Sequence, residues 1–323
     1  MTDNESRTFI VGDSDAGARI DLFLARISGF SRSRVHKSIK DGSVLVDGAV
    51  ITKPAFPVEC GSHITLTVEE KAPPAFEPEP IPLDIIYEDD DLIVINKPAG
   101  LVVHPARGNY RGTLAAGLLY HRASMAEVGE TAKPGIVHRL DKETSGIMVA
   151  ALTQEMHDVL SRMVHDRLID REYTAFVWGH PEPADGTIDQ PIGRKPGQRI
   201  LQAVVPGGRA SVTHYSTVAR YRFLSKLSVR LQTGRTHQIR VHMANIGHNV
   251  FADPTYGGRE KRLKGYSPDI REEARYYLKR VTRQALHAAH LSFDHPRDGR
   301  PMSFTAPLPD DLAWLDQELE RTS

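Results

Sequence analysis

The chain of 323 residues is long enough for about two domains, and its 41 basic residues are balanced by 41 acidic ones. One cysteine, Cys60, excludes a disulfide framework and a cysteine-based zinc site, and no apolar run approaches the roughly 20 residues that span a bilayer. Residues 1–8 carry no apolar signal segment, so we expect a soluble, cytoplasmic protein without a membrane partner. If the partner is nucleic acid, positive charge must be concentrated locally, and the sequence offers 32–40 and 259–283.

The first elements along the chain predict a small α/β domain. Residues 32–41 favour a helix, with Ser31 as N-cap and Gly42 just past its end. The dipeptide Asp47-Gly48 between two apolar triplets predicts a two-residue hairpin turn. Five prolines within 71–82 predict a stiff, extended linker. We therefore divide the chain into a domain at 1–71, a linker at 72–82 and a second domain at 83–323.

The second domain combines short strands with few helices. Its patterns predict a hairpin at 85–95, a helix at 154–168, strands at 171–178, 210–221 and 223–232, and a helix at 236–246. Because no regular βαβ alternation occurs, an α+β fold is favoured over a doubly wound sheet.

The most informative segment is the polar loop at 138–146, between apolar stretches at 135–137 and 147–152 that predict buried strands. It places Asp141 near Arg139, and such a cationic neighbour keeps a carboxylate ionised where burial would protonate it. A structural Asx-turn, in which Asp141 accepts backbone N–H groups, fits the same spacing. Spacing alone leaves both interpretations open.

Residues 138–146 closely resemble the signature of the RluA family of pseudouridine synthases, His-Arg-Leu-Asp-x-x-Thr-Ser/Thr-Gly. Residues 171–179 and 231–242 resemble the second and third blocks of that family, in the family's order. The resemblance implies a pseudouridine synthase catalytic domain whose mostly antiparallel central sheet is crossed by a cleft. It further implies that Asp141 is catalytic, that Tyr173 packs against the target base and that Arg235 is the ion-pair partner of Asp141.

The helix and hairpin near the start resemble the S4 RNA-binding domain, whose helix presents basic side chains to RNA phosphates. By that resemblance RNA contacts are expected from Arg32, Arg34, Lys37 and Lys40. An ordinary α/β subdomain with a solvated helix is the alternative. In the catalytic domain we expect RNA contacts from Arg139, His237 and Arg240, with Arg139 occupying the place of an extruded nucleotide.

Pseudouridine formation breaks the N1–C1′ bond of uridine and joins C5 to C1′. This isomerisation needs neither an oxidant nor an energy-coupled cofactor, so we expect no cofactor and no metal. Attack of Asp141 on the ring, attack on C1′ and abstraction of a proton all fit the sequence. Segments at 76–89, 212–215, 253–258 and 283–288 resemble family members that act on the large ribosomal subunit. The implied partner is 23S rRNA or a precursor of the large subunit, at the stem-loop of an intersubunit bridge near the decoding centre.

Two other functions remain compatible with the sequence. A non-catalytic RNA-binding or ribosome-assembly protein could use the same S4-like module and basic helices. A glycosidic hydrolase could use a carboxylate at an anomeric carbon, although such enzymes normally need two carboxylates and only Asp141 is well placed here.

Overall fold

A computed structural model describes the chain at residues 4–30, 32–69, 76–105, 109–130, 133–198 and 201–322. The chain forms two compact units, Met1–Ala75 and Phe76–Ser323, which divide within the predicted linker. Residues 72–75 of that linker lie outside the described residues. Beyond them, Phe76 packs on the core of the second unit, and the Glu79 N–H donates to the Ala116 carbonyl at 3.1 Å. No helix in the described ranges is both long and apolar enough to cross a membrane.

The first unit is a four-stranded antiparallel sheet with two helices. Its elements are β1 (Asn4–Ile10), a 3-10 helix (Asp13–Asp15), α1 (Ile20–Ile27), α2 (Arg32–Lys40), β2 (Val44–Val46), β3 (Ala49–Val50) and β4 (His63–Glu69), with strand order β1-β4-β2-β3. The predicted helix and hairpin are confirmed: Asp47 and Gly48 both have positive φ, as the turn requires. The proposed N-cap, Ser31, lies outside the described residues.

In the described residues the second unit contains one nine-stranded sheet and two separate two-stranded sheets, thirteen strands in all. Its strands are β5 (Ile85–Glu88), β6 (Leu92–Lys97), β7 (Gly129–Glu130), β8 (Lys133–Pro134), β9 (Ser145–Ala151), β10 (Asp170–Trp178), β11 (Asp185–Asp189), β12 (Ile192–Arg194), β13 (Gln202–Val204), β14 (Val212–Arg220), β15 (Leu224–Leu231), β16 (Leu286–Asp294) and β17 (Pro301–Thr305). Its helices are α3 (Leu114–His121), α4 (Gln154–Asp166), α5 (Gln238–Asn245), α6 (Pro268–Arg280) and α7 (Asp310–Arg321), with 3-10 helices at Ala123–Glu127 and Glu260–Leu263.

The nine strands run in the order β11-β14-β15-β10-β16-β9-β6-β5, with β17 paired to β16. Neighbours are antiparallel except β9 and β16, which are parallel, so the predicted α+β class with a mostly antiparallel sheet is confirmed. Both faces of β6 and β9 are buried: Ile93 and Ile95 join one apolar cluster, while Leu92 and Val94 join another. Continuous apolar runs are the expected result of such two-sided burial.

Two of the predicted elements, at 135–137 and 236–246, differ from those in the structure. Residues 135–137 do not form a strand, and their only pairing there is an isolated bridge between Ile136 and Ala150. The helix expected at 236–246 begins at Gln238, because His237 adopts the left-handed conformation with φ 59° and so precedes the helix as its N-cap.

One glycine fixes how the polar loop enters the sheet. Gly146 has φ 118°, and a Cβ placed on it would lie 2.2 Å from the carbonyl oxygen of Ala288 on β16. Only glycine therefore lets β9 begin in register with β16. Because Tyr173 on β10 pairs with Ala288 on the other side of β16, the loop and Tyr173 are held two strand spacings apart, about 10 Å.

Candidate active site

A cavity of about 780 Å³ opens where the polar loop, the start of β10 and the segment before α5 meet. It is lined by all three sequence blocks that the family resemblance singled out. From the loop come His138, Arg139, Leu140, Asp141 and Thr144, from β10 come Arg171 and Tyr173, and from the third block come residues 231–240. The structure thus brings Asp141, Tyr173, Arg235, Arg139, His237 and Arg240 to one cavity.

The two carboxylate oxygens of Asp141 have different surroundings. A turn shapes the loop, because the Thr144 N–H donates to the Asp141 carbonyl at 3.0 Å. Oδ2 accepts a hydrogen bond from Nη1 of Arg240 at 2.9 Å. Oδ1 lies 3.8 Å from Nε2 of His237 and receives no hydrogen bond from any residue within the described ranges. One oxygen is therefore held in place while the other is available inside the cavity.

Arg240, and not Arg235, is the ion-pair partner of Asp141. Its side chain is 5% exposed, and Nε and Nη2 donate to Asp253 at 2.6 and 2.9 Å. Asp253 is fully buried and also accepts the N–H groups of Thr255 and Tyr256. Burial opposes the charged form of Arg240, but the hydrogen bonds to Asp253 and the attraction of both carboxylates outweigh it and raise its pKa.

This geometry corrects two expectations from the sequence. Arg240, expected to contact RNA, is buried and uses its guanidinium to bridge two carboxylates. Arg235, expected to pair with Asp141, donates from Nε to the Ala210 carbonyl at 3.3 Å. Burial lowers the pKa of Arg235, and the nearby Arg209 and Arg167 add to that effect. The sequence offers no local signal for this partner, because the burial of Arg240, which requires acidic partners, is set by the fold.

Tyr173 contributes a buried aromatic ring to the lining of the cavity. Its ring is buried on β10 and lines the same space as Asp141. Burial raises the pKa of its hydroxyl; the charge of Arg171 opposes that rise and the charge of Asp141 adds to it. A protonated phenol on a flat aromatic face is suited to packing against a planar base.

Tyr256, which the sequence did not single out as a site residue, fixes the state of His237. The Gln202 N–H donates to the Tyr256 hydroxyl at 3.2 Å, and that hydroxyl lies 2.8 Å from Nδ1 of His237. The hydroxyl accepts from Gln202 and has one proton to donate; when it donates that proton to Nδ1, the imidazole proton is on Nε2. Burial lowers the pKa of His237, so a neutral ring presents an N–H donor beside Oδ1 of Asp141.

The loop is supported from behind by buried polar groups. Lys97 is fully buried, and its Nζ donates to the carbonyls of Pro98, Leu101 and Lys142 at 2.7 to 3.1 Å. His138 accepts the Val149 N–H at Nε2, and burial lowers its pKa to about 3, which makes it a neutral acceptor. These contacts hold the backbone on either side of Asp141.

The cavity wall is strongly basic although the chain is neutral overall. Six lining residues are lysine or arginine and two are acidic: Lys133, Arg139, Arg167, Arg171, Arg235 and Arg240 against Asp141 and Asp166. Lys133 pairs with Glu130 and Arg240 with Asp141. The other four arginines have no carboxylate partner in the part of the chain that the structure describes. The sequence analysis had instead predicted the concentration of positive charge in residues 32–40 and 259–283.

The two basic segments that the sequence did indicate are partly used for structure. In the first, Arg32 pairs with buried Asp21 at 3.1 Å, whereas Lys37 and Lys40 are exposed on α2 and the Arg34 side chain lies outside what the structure describes. In the second, Arg259 donates to the carbonyls at the end of α6, and Arg283 pairs with Asp311. The RNA contacts expected from the α2 residues remain predictions.

One cluster has the composition of a metal site. Asp89, Asp91 and His295 bring ligand atoms within 4.8 Å of one another. Arg297 pairs with both oxygens of Asp91, and Asp89 accepts the Tyr87 hydroxyl and two backbone N–H groups. The charge of this cluster is therefore balanced by arginine and hydrogen bonds.

Known proteins match both units. The RNA pseudouridylate synthase family matches residues 91–245, and the S4 domain matches residues 18–64. "Ribosomal large subunit pseudouridine synthase D" of Vibrio parahaemolyticus is 44% identical over 97% of this chain and 94% of its own length. The protein of the same name from Escherichia coli K12 is 44% identical over 98% of this chain and 94% of its own length.

Solved structures agree with this assignment. Human RNA Pseudouridylate Synthase Domain Containing 1 is 25% identical, covers 75% of this chain and 96% of its own, and has a TM-score of 0.53. Human RNA Pseudouridylate Synthase Domain Containing 4 is 25% identical, covers 73% of this chain and 92% of its own, and has a TM-score of 0.55. Together with the Asp141 cavity, these matches show that the chain belongs to the family of RNA pseudouridylate synthases and that its first unit contains an S4 domain.

Proposed function

We propose that this chain works in the cytoplasm as an isomerase that converts uridines of 23S rRNA, in the large ribosomal subunit or its precursor, to pseudouridine. The names of the bacterial relatives support the ribosomal substrate. We further propose that the target lies in the stem-loop of the intersubunit bridge near the decoding centre, and that Asp141 acts on the extruded nucleotide.

The arrangement around Asp141 carries the proposal. Arg240 holds one carboxylate oxygen at 2.9 Å, so the group is oriented before the substrate arrives. The other oxygen lies 3.8 Å from Nε2 of His237 and receives no hydrogen bond from the described residues. A group that must attack, or take a proton from, a nucleoside needs such a free lone pair.

The cavity also suits a nucleotide turned out of a helix. Its volume of about 780 Å³ is within the range of small-molecule sites, and Tyr173 offers a buried aromatic face beside Asp141. Arg139 is exposed at the cavity, two residues from Asp141. We propose that its planar head fills the space that the target base leaves in the RNA stack.

Asp141 and His237 have different roles in the proposed reaction. The reaction breaks N1–C1′, forms C5–C1′ and moves the proton of C5 to N1, so no other atom is gained or lost. Asp141 interacts with the reacting nucleoside, and the neutral Nε2–H of His237 is placed to donate to an oxygen of the uracil. The buried walls keep water from the detached base, which would otherwise be lost as free uracil.

The test is replacement of Asp141 by asparagine, which keeps the shape and removes the charge. Purified protein is incubated with RNA that carries tritium at C5 of uracil, and released tritium is counted. We expect the rate to fall by at least about 10³-fold. Asp166→Asn is the matched control, because Asp166 lines the same cavity and is mostly exposed, and it should keep the wild-type rate. Wild-type turnover by the Asp141→Asn protein would refute the role of Asp141.

The reaction products distinguish the proposed isomerase from the non-catalytic RNA-binding protein and the glycosidic hydrolase. A binding protein without catalysis releases no tritium, and a hydrolase releases free uracil. The target is tested by carbodiimide mapping of pseudouridine in 23S rRNA from cells with and without the gene. Loss of signals in the bridge stem-loop is expected, and unchanged signals would refute the proposed target.

A further inference from the structure

We propose that Arg167, Arg171 and Arg235 form a phosphate site that holds the RNA backbone next to the extruded nucleotide. This inference rests on the proposed function, since it assigns a part of the substrate to one wall of the same cavity. It gives Arg235 a role different from pairing with Asp141.

The three arginines line one cavity although Arg235 is distant in sequence from Arg167 and Arg171, which are four residues apart. A Cβ on Gly234 would lie 3.4 Å from Nη1 of Arg171, so Arg171 lies against the backbone immediately before Arg235. Arg167 follows α4 as its C-cap, in the left-handed conformation with φ 65°. Arg167 and Arg209 both depress the pKa of Arg235, after the larger effect of burial, as like charges nearby must.

This concentration of charge is not neutralised by the protein. None of the three arginines has an ion pair within the described ranges, and Nε of Arg171 is buried without a hydrogen-bond partner. Arg222, by contrast, contacts both Asp269 and Glu273. A buried donor without an acceptor and a group of mutually repelling cations both cost free energy, and an anion bound among them would remove both costs.

The chemistry of the site fits a phosphodiester. A guanidinium group presents parallel N–H donors that match two phosphate oxygens, and three such groups can surround one or two phosphates. Among the described residues that line the cavity near these arginines, Asp166 supplies a carboxylate, and it contacts His165. Because the wall belongs to the cavity that contains Asp141 and Tyr173, the strand that carries the target nucleotide must pass it.

The experiment measures how salt affects RNA binding by the full chain. The dissociation constant of a labelled stem-loop of the target rRNA is determined between 50 and 300 mM salt for wild type and for Arg167→Gln, Arg171→Gln and Arg235→Gln. Loss of one phosphate contact should lower the slope of log Kd against log salt by about 0.7 to 0.9 and weaken binding about five- to tenfold at 0.1 M. Arg171→Lys should keep the slope, because it keeps the charge.

Arg222→Gln is the control, since it removes a charge that is already paired with two carboxylates and should leave the slope unchanged. Urea midpoints measured in parallel identify any variant that fails to fold. Comparison of the salt slopes of Arg171→Lys and Arg171→Gln then separates the loss of the charge from the loss of the arginine side chain. Wild-type slopes in all three glutamine variants would overturn the phosphate site. If instead the slopes fall but the wild-type protein forms no pseudouridine, the proposed function fails and the phosphate site stands.

Discussion

Replacement of Arg240 by methionine should reveal two separate roles of this side chain. Arg240 donates two hydrogen bonds to Asp253 and one to Asp141, at distances from 2.6 to 2.9 Å. Asp253 is fully buried, so the substitution would leave its carboxyl group in the interior without its counterion. Breaking a buried ion pair by removing one partner costs about 3–5 kcal/mol, and we expect that loss in the free energy of unfolding.

The double variant Arg240→Met/Asp253→Asn separates stability from catalysis. An asparagine at 253 keeps the shape of the aspartate and removes the uncompensated charge, so much of the lost stability should return, with a coupling of about 2–3 kcal/mol. Asp141 still lacks its donor in the double variant. We therefore expect a folded protein whose turnover remains strongly reduced.

Stability is measured by urea unfolding and catalysis by single-turnover tritium release. Arg235→Met is the matched control, because it is the same substitution in the same cavity at a residue without an ion pair in the described structure. It should change the free energy of unfolding by no more than about 1 kcal/mol. A wild-type urea midpoint for Arg240→Met, or wild-type turnover in the double variant, would refute the reasoning.

Three further predictions test the residues that support the polar loop and His237. In His138→Gln, the amide keeps an acceptor for the N–H of Val149 on β9 but does not titrate. Because the pKa of His138 is about 3 in the folded protein and about 6.5 in the unfolded chain, the wild-type protein loses stability as the pH falls through that range. Compared with neutral pH, the free energy of unfolding of the variant at pH 5 should therefore rise by about 2 kcal/mol relative to that of the wild type, as measured by urea unfolding. Equal pH dependence of both proteins would contradict this. Gly146→Ala should cost about 3 kcal/mol or more in the same assay, whereas Gly197→Ala, with positive φ but open space, should cost far less; similar losses would disprove the steric argument. Tyr256→Phe should slow single turnover roughly 5- to 10-fold by releasing the ring of His237, and an unchanged rate would remove that residue from the site.

Much of the fold could be predicted because its signals are local. The dipeptide Asp47-Gly48 specifies its turn through two residues of positive φ. Strands β6 and β9 lie inside the sheet, so their sequences are apolar without alternation. Residues 135–137 carry the same apolar signal but make one bridge only, because strand formation depends on a partner of sufficient length and not on composition.

The ion pair of Asp141 could not be chosen from local sequence. Arg235 and Arg240 are five residues apart in one motif; Arg235 immediately precedes the helix predicted at 236–246, and Arg240 lies inside it. The side chain of Gln238 accepts the Arg235 N–H at 3.0 Å and donates to the Val212 carbonyl at 2.9 Å, which ties the turn to β14 and turns Arg240 inward. Which arginine pairs with Asp141 therefore depends on the contact between Gln238 and Val212, which are 26 residues apart in the chain.

The same reasoning explains why the basic wall was missed. A count of charges along the sequence treats every arginine alike, but the field outside the protein depends on which arginines lack a nearby carboxylate. Arg283 lies in a basic segment and is neutralised by Asp311, whereas Arg171 lies in a strand beside Glu172, whose carboxylate pairs with Arg230 instead. Successive side chains of a strand point to opposite faces, so Arg171 and Glu172, adjacent in sequence, cannot neutralise each other. A chain with no net charge can therefore present a cavity that attracts RNA, because in the described part of the chain the arginines on that wall lack the carboxylate partners that Arg283 and Arg230 have.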